Sequence, residues 1–207
     1  MIIYLHGLNS SSHSNKAMLL RTALASETFF APDYPAHRPD KAVAQLTVLL
    51  SELSRRGPPP VLVGSSMGGF YGQYLARQQP VAHLFMINPA LRPWQLLSGY
   101  ADTPMVTASG ETYRLSAEII ESTRAYGIDN PCDGHDDGMP TTLFLDQGDE
   151  VIDYRVAQDI YRRCGRVLVY AGGNHAFAHM PQAIDLIRTT LRGGDGSPAG
   201  GEEATAV

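Results

Sequence analysis

Pro60-Val61-Leu62-Val63-Gly64-Ser65-Ser66-Met67-Gly68-Gly69-Phe70 is an apolar strand that runs into Gly-x-Ser-x-Gly, with helix-forming sequence after it. That order matches a nucleophile elbow, a sharp strand-to-helix turn that lifts one serine hydroxyl into a cleft. Gly64 and Gly68 flank Ser66 where strand and helix approach too closely for side chains. Small residues match such a pattern by chance in a chain with 20 glycines. Taken alone, Ser66 reads equally well as a small residue at an anion-binding helix N-terminus. The surrounding sequence has to decide.

Outward from the elbow, apolar runs alternate with helical patterns. Strands are expected at 2–5, 28–31, 61–63, 82–87, 142–145 and 166–170. Helices are expected at 14–25, with Ser12 or Ser14 as N-cap, and at 40–55, 68–79, 154–164 and 181–191. In the second helix Val43, Leu46, Leu49, Leu50 and Leu53 repeat with helical spacing. Residues 90–140 break the rhythm. They are too long for a simple crossover and too rich in Pro, Gly and Asp for one helix, and they read as an inserted cap with a helix within 116–126. The tail at 193–207 is rich in Gly, Ala and Glu and is expected to be disordered. The expectation is an α/β fold: one domain over 1–192, with about six mostly parallel strands and helices on both faces.

In such sheets ligands bind beyond the carboxyl ends of the strands. Polar, Gly-rich segments follow four strands, at 6–12, 64–69, 147–149 and 172–175, and so converge on one edge. A serine hydroxyl needs a base, and the base needs an orienting group. Of seven histidines, His175 in Gly172-Gly173-Asn174-His175 follows the last strand and is the candidate base. His179 lies four residues on, at a helix start, and is less able to reach across. His83 sits in a strand and reads as a core or interface residue. His135, in Asp133-Gly134-His135-Asp136-Asp137, could pass for a metal ligand, but no second histidine is spaced to join it, so a solvated loop is expected. His6 is expected to pack beneath its loop rather than to act in catalysis. Asp149 is the best-placed acid, with Asp146 and Asp153 as alternatives that otherwise read as surface or capping carboxylates. Ser66, Asp149 and His175 occur in the chain order of α/β-hydrolases. The backbone N–H groups of Met67 and Leu8 are the candidate oxyanion donors.

The composition agrees with this picture. Hydrophobic residues make up 43% of 207 and charged residues 18%, which describes a globular chain with a substantial core. The net charge of −5 provides no basic stripe, so no nucleic-acid partner and no anionic-membrane partner is expected. Cys132 and Cys164 form no zinc-like or Cys-x-x-Cys spacing, and two reduced thiols are the default, with one disulfide the alternative. The first residues carry no basic run, and no stretch approaches the ~18 apolar residues that span a bilayer. The expectation is a cytoplasmic protein.

The sequence also resembles a known group, the YqiA-type esterases, a small branch of the α/β-hydrolases. The resemblance rests on Met1-Ile2-Ile3-Tyr4-Leu5-His6-Gly7-Leu8-Asn9-Ser10-Ser11 with Lys16, and on Gly64-Ser65-Ser66-Met67-Gly68-Gly69-Phe70-Tyr71. It continues in Asn88-Pro89-Ala90-Leu91-Arg92-Pro93, Gly110-Glu111-Thr112-Tyr113, Gly148-Asp149-Glu150-Val151-Ile152-Asp153-Tyr154-Arg155 and Gly172-Gly173-Asn174-His175-Ala176-Phe177. Leu8 and Met67 stand where Phe and Leu are expected, and both positions contribute backbone donors only. The resemblance implies a compact fold without the first two strands of larger relatives, with Ser66 as nucleophile, Asp149 as acid and His175 as base. The expected activity is hydrolysis of small or medium carboxylic esters through an acyl-enzyme, with no metal or organic cofactor. An acyl-CoA thioesterase would use the same residues, and a catalytically idle binding module is the reading from another class.

Overall fold

The computed structural model describes residues 1–133, 140–193 and 205–206. The central sheet is built from β1 (Ile2–Leu5), β2 (Phe29–Phe30), β3 (Val61–Ser65), β4 (His83–Ile87), a later β7 (Thr141–Asp146) and β8 (Arg166–Tyr170). Their order is β2-β1-β3-β4-β7-β8, and every pair is parallel. The chain runs outward from β1 to β2 and then returns to β3. The strand order therefore reverses beside β1 and β3, and the loops after those two strands open on the reversal point.

Continuous apolar strands need cover on both faces, and the side-chain alternation divides them cleanly. Ile3, Leu5, Leu62, Leu84, Met86, Leu143 and Leu145 face α2 (Pro39–Ser54), α3 (Met67–Gln78) and α6 (Tyr154–Tyr161). Ile2, Tyr4, Val61, Val63, Phe85, Ile87 and Phe144 face α1 (Asn15–Ala23) and α7 (Met180–Leu191). Ser14 caps α1 by accepting the Ala17 N–H, which decides between the two serines considered for that role.

Between β4 and β7 the inserted segment packs onto the α2–α3 face. It holds α4 (Pro93–Leu96), an antiparallel hairpin of β5 (Pro104–Val106) and β6 (Thr112–Arg114), and α5 (Ala117–Ser122), which continues as a 3-10 turn over Thr123–Tyr126. Trp94, Leu97, Tyr113, Leu115 and Ile120 join the core beneath it. No helix among the described residues is long and apolar enough to cross a membrane.

Three expectations need correction or limit. A seventh strand, β9 (Thr205–Ala206), which the sequence reading did not include, pairs antiparallel with Leu168 and Val169 of β8. Residues 194–204 lie outside the described residues, as does His135. Cys132 and Cys164 are not two thiols but a disulfide, with Cα atoms 5.2 Å apart. Cys164 lies just beyond the end of α6, and the cap brings Cys132 back to that end. Spacing along the chain could not show this approach.

Candidate active site

Ser66 sits between β3 and α3 with φ 53 and ψ −120, a conformation that a residue with a Cβ rarely adopts. The glycines around it have no alternative. A Cβ on Gly64 would lie 2.4 Å from the Gly68 carbonyl oxygen, and one on Gly69 would lie 2.7 Å from the Pro89 Cβ. The strain is held from the next strand. The Ser66 N–H donates to the Ile87 carbonyl at 3.0 Å, and the Ser66 carbonyl accepts the Ala90 N–H at 3.1 Å. The side chain is half-buried. Ser65 beside it is buried, away from the cleft.

On the β1 side, Gly7 lies against the serine. A Cβ there would stand 3.2 Å from the Ser66 Cβ. Leu8 follows, and neither its N–H nor that of Met67 is spent on an intramolecular hydrogen bond among the described residues. Met67 begins α3, where the helix dipole adds positive potential. His6 is buried under this loop, stacked on Tyr34 at 4.3 Å, and burial holds its pKa below the usual value. The cap reaches the same loop, since the Tyr113 hydroxyl donates to Asn9 Oδ1 at 2.6 Å.

Beyond β7 and β8, Asp149 and His175 form a pair. His175 Nδ1 lies 3.0 and 2.9 Å from the two carboxylate oxygens. Asp149 Oδ1 also accepts the N–H groups of Val151 and Ile152 at 2.9 and 2.8 Å. Burial pushes the Asp149 carboxyl up, but the bonds from His175, Ile152 and Val151 outweigh it and leave the pKa below the ordinary carboxylate value. The side chain of Asp149 is 1% exposed and that of His175 25%. Burial lowers the pKa of Lys16, on α1, and the charges of Asp149 and Asp146 oppose that shift.

The alternative acids have other work. Asp153 caps α6 through the Arg155 N–H and pairs with the Arg155 side chain. Asp146 is fully buried and bonded to His179 at 2.6 Å, a pair the sequence reading did not anticipate. Its only sequence trace is the doubled spacing of Asp146 with Asp149 and of His175 with His179. Asn88 was also missed. At the end of β4, with φ 41, its Oδ1 accepts the Asp146 N–H at 2.9 Å and its Nδ2 donates to the Asn174 carbonyl at 3.1 Å. The 87–90 segment that bonds to the Ser66 main chain thus also holds the residue before His175. Ser66 Oγ makes no hydrogen bond to His175 in this conformation, a looseness common in unliganded sites. Among the described residues no three His, Cys, Asp or Glu side chains gather as metal ligands would.

A serine on a strained strand-to-helix turn and an aspartate–histidine pair, each following a strand of the parallel sheet at the same end, can be compared with known proteins. A family model described as "Uncharacterised protein family (UPF0227)" matches residues 1–190. The chain belongs to the UPF0227 family. This agrees with the resemblance to YqiA-type proteins. A UPF0227 protein of Serratia proteamaculans is 22% identical over 191 residues, covering 91% of this chain and 97% of that one. A UPF0227 protein of Pasteurella multocida is 28% identical over 108 residues, and one of Vibrio parahaemolyticus 26% over 106; each alignment spans half of this chain and 59% of the relative. Among solved structures, Est1E of Butyrivibrio proteoclasticus with ferulic acid bound superposes with a TM-score of 0.73 at 12% identity, covering 93% of this chain and 88% of that one. The mouse alpha/beta hydrolase domain-containing protein 10 gives 0.72 at 17% identity, with 93% and 89% covered. The fold of this UPF0227 member is that of the α/β-hydrolases.

Proposed function

We propose that the chain is a serine hydrolase that cleaves small or medium carboxylic esters through an acyl-enzyme. The observation that carries this reading is the Asp149–His175 contact. A carboxylate bonded to Nδ1 fixes the tautomer that leaves Nε2 bare to act as a base, and it stabilises the imidazolium once formed. In this reading His175 takes the Ser66 proton as Oγ attacks the carbonyl carbon. The N–H groups of Leu8 and Met67 receive the oxyanion. His175 then protonates the leaving alcohol, and a water deprotonated by His175 releases the acid and restores Ser66.

The acyl side of the reading is supported by a narrow apolar pocket of about 10 Å³ between the oxyanion loop and the cap. Leu8, Met67, Leu97, Leu115, Ile119 and Ile120 are among its lining residues. That space has room for little more than a methyl group and so favours the shortest acyl groups. The test is labelling with a fluorophosphonate probe. Wild type should label and Ser66→Ala should not; an unlabelled wild type, or equal labelling of both, would refute the proposal.

A further inference from the structure

The two carboxylates at the end of β7 divide the work. Asp149 touches the His175 ring, while Asp146 touches what carries it. Oδ2 of Asp146 accepts the Asn174 N–H at 3.2 Å and the Ala178 N–H at 2.8 Å. Its Oδ1 faces His179 Nδ1 at 2.6 Å. Those residues bracket His175 on both sides. The fit is close enough to dictate the neighbouring sequence. Gly173 has φ +74, and a Cβ there would fall 2.0 Å from Asp146 Oδ2. His179 is held in turn by stacking on Tyr170, with ring centres 4.7 Å apart. Asn88 Oδ1 accepts the backbone N–H of Asp146 at 2.9 Å and so fixes the strand end from which the carboxylate projects.

We propose that Asp146 is a positioning residue: by gathering Asn174, Ala178 and His179 onto one buried carboxylate, it sets where the His175 imidazole stands between Asp149 and Ser66. The inference rests on the hydrolase reading for the role of His175. The physical ground is that a buried carboxylate with every donor in place is rigid, and that displacing a reacting group by an ångström can cost about a hundredfold in rate.

The experiment compares wild type with Asp146→Asn and Asp146→Leu. Fluorophosphonate titration counts competent Ser66 sites, so kcat is read per labelled site and misfolded protein does not enter. Asn offers one acceptor oxygen in place of two, and His179 must change tautomer or lose its partner. The expected result is a fall in kcat of about tenfold with KM within about twofold. Leu accepts nothing, and about a hundredfold fall is expected. If the Leu variant does not fold, the Asn variant decides. In parallel, NMR of the hydrogen-bonded His175 Nδ1 proton should show that signal shifted or broadened in Asp146→Asn. An unchanged kcat per site together with an unmoved His175 signal would overturn the proposal and leave Asp146 a structural residue. A wild type that takes no label would instead sink the hydrolase reading, while the NMR signal still reports the placement of His175.

Discussion

A Cβ on Gly68 would stand 1.9 Å from the carbonyl oxygen of Leu5. The obstacle is main chain at the end of β1, so no side chain can move to make room. The close approach brings the start of α3 down onto β1. Gly68→Ala is expected to destabilise the fold by more than about 3 kcal/mol, measured by urea unfolding. Gly57→Ala is the control, since nothing lies within 4 Å of a Cβ there. It should be neutral or slightly stabilising.

Asp149 accepts from His175, Val151 and Ile152 at once. Asp149→Asn can present its amide nitrogen to the ring and favour the wrong imidazole tautomer. A fall in kcat of about 10⁴ with little change in KM is expected in nitrophenyl ester hydrolysis. A loss below about tenfold would remove Asp149 from the assigned role. The depressed carboxyl pKa also has a sign. The charged form stabilises the fold above the unfolded-state value near 3.8, and that contribution disappears as pH falls through the lower folded value.

The sheet could be read from the sequence because its strands are buried on both faces. Ile2, Ile3, Tyr4 and Leu5 are all at most 1% exposed, and such runs stand out against the polar helix faces between them. The loops carrying Ser66, Asp149 and His175 could be placed because each follows such a strand. What stayed hidden depends on contacts that leave no local pattern. Asp146 meets His179 across 33 positions, and an aspartate at a strand end looks in sequence like any surface carboxylate. Cys132 meets Cys164 across 32 positions. The three-residue strands β5 and β6 are too short to show alternation.

His83 gives the fold an acid weakness away from the site. It stacks on Phe85 at 4.0 Å, and its Nε2 meets Thr142 Oγ1 at 2.9 Å. Burial, with the Arg166 charge adding to it, lowers its pKa from 6.5 to about 4. Because the folded value is the lower one, the unfolded chain takes up the proton first. Stability is therefore lost as pH falls from about 6.5 towards 4, by on the order of 2 kcal/mol after allowing for the ring's partial exposure. His83→Phe keeps the stack and removes the titration. Urea midpoints at pH 7 and pH 4.5 should then lie closer together than in wild type. An unchanged gap would show that other groups set the acid limb.

If the chain is the proposed ester hydrolase, the small apolar pocket lined by Leu8 and Met67 bears on which acyl chains fit. Its volume of about 10 Å³ is roughly that of one water-sized sphere, room for little more than a methyl group, so a butyryl chain already needs the lining to give way and an octanoyl chain needs far more of it to move. Ile120, on α5 and 4% exposed, is one of its lining residues. Ile120→Ala removes three carbon atoms from that lining at a cost of about 2–4 kcal/mol in stability. The ratio of kcat/KM for nitrophenyl octanoate over nitrophenyl butyrate should lie well below one in wild type and rise about tenfold or more in the variant. If wild type already prefers octanoate, the acyl chain runs elsewhere. If only stability changes in Ile120→Ala, the pocket is packing space and the acyl group lies on the open side of Ser66.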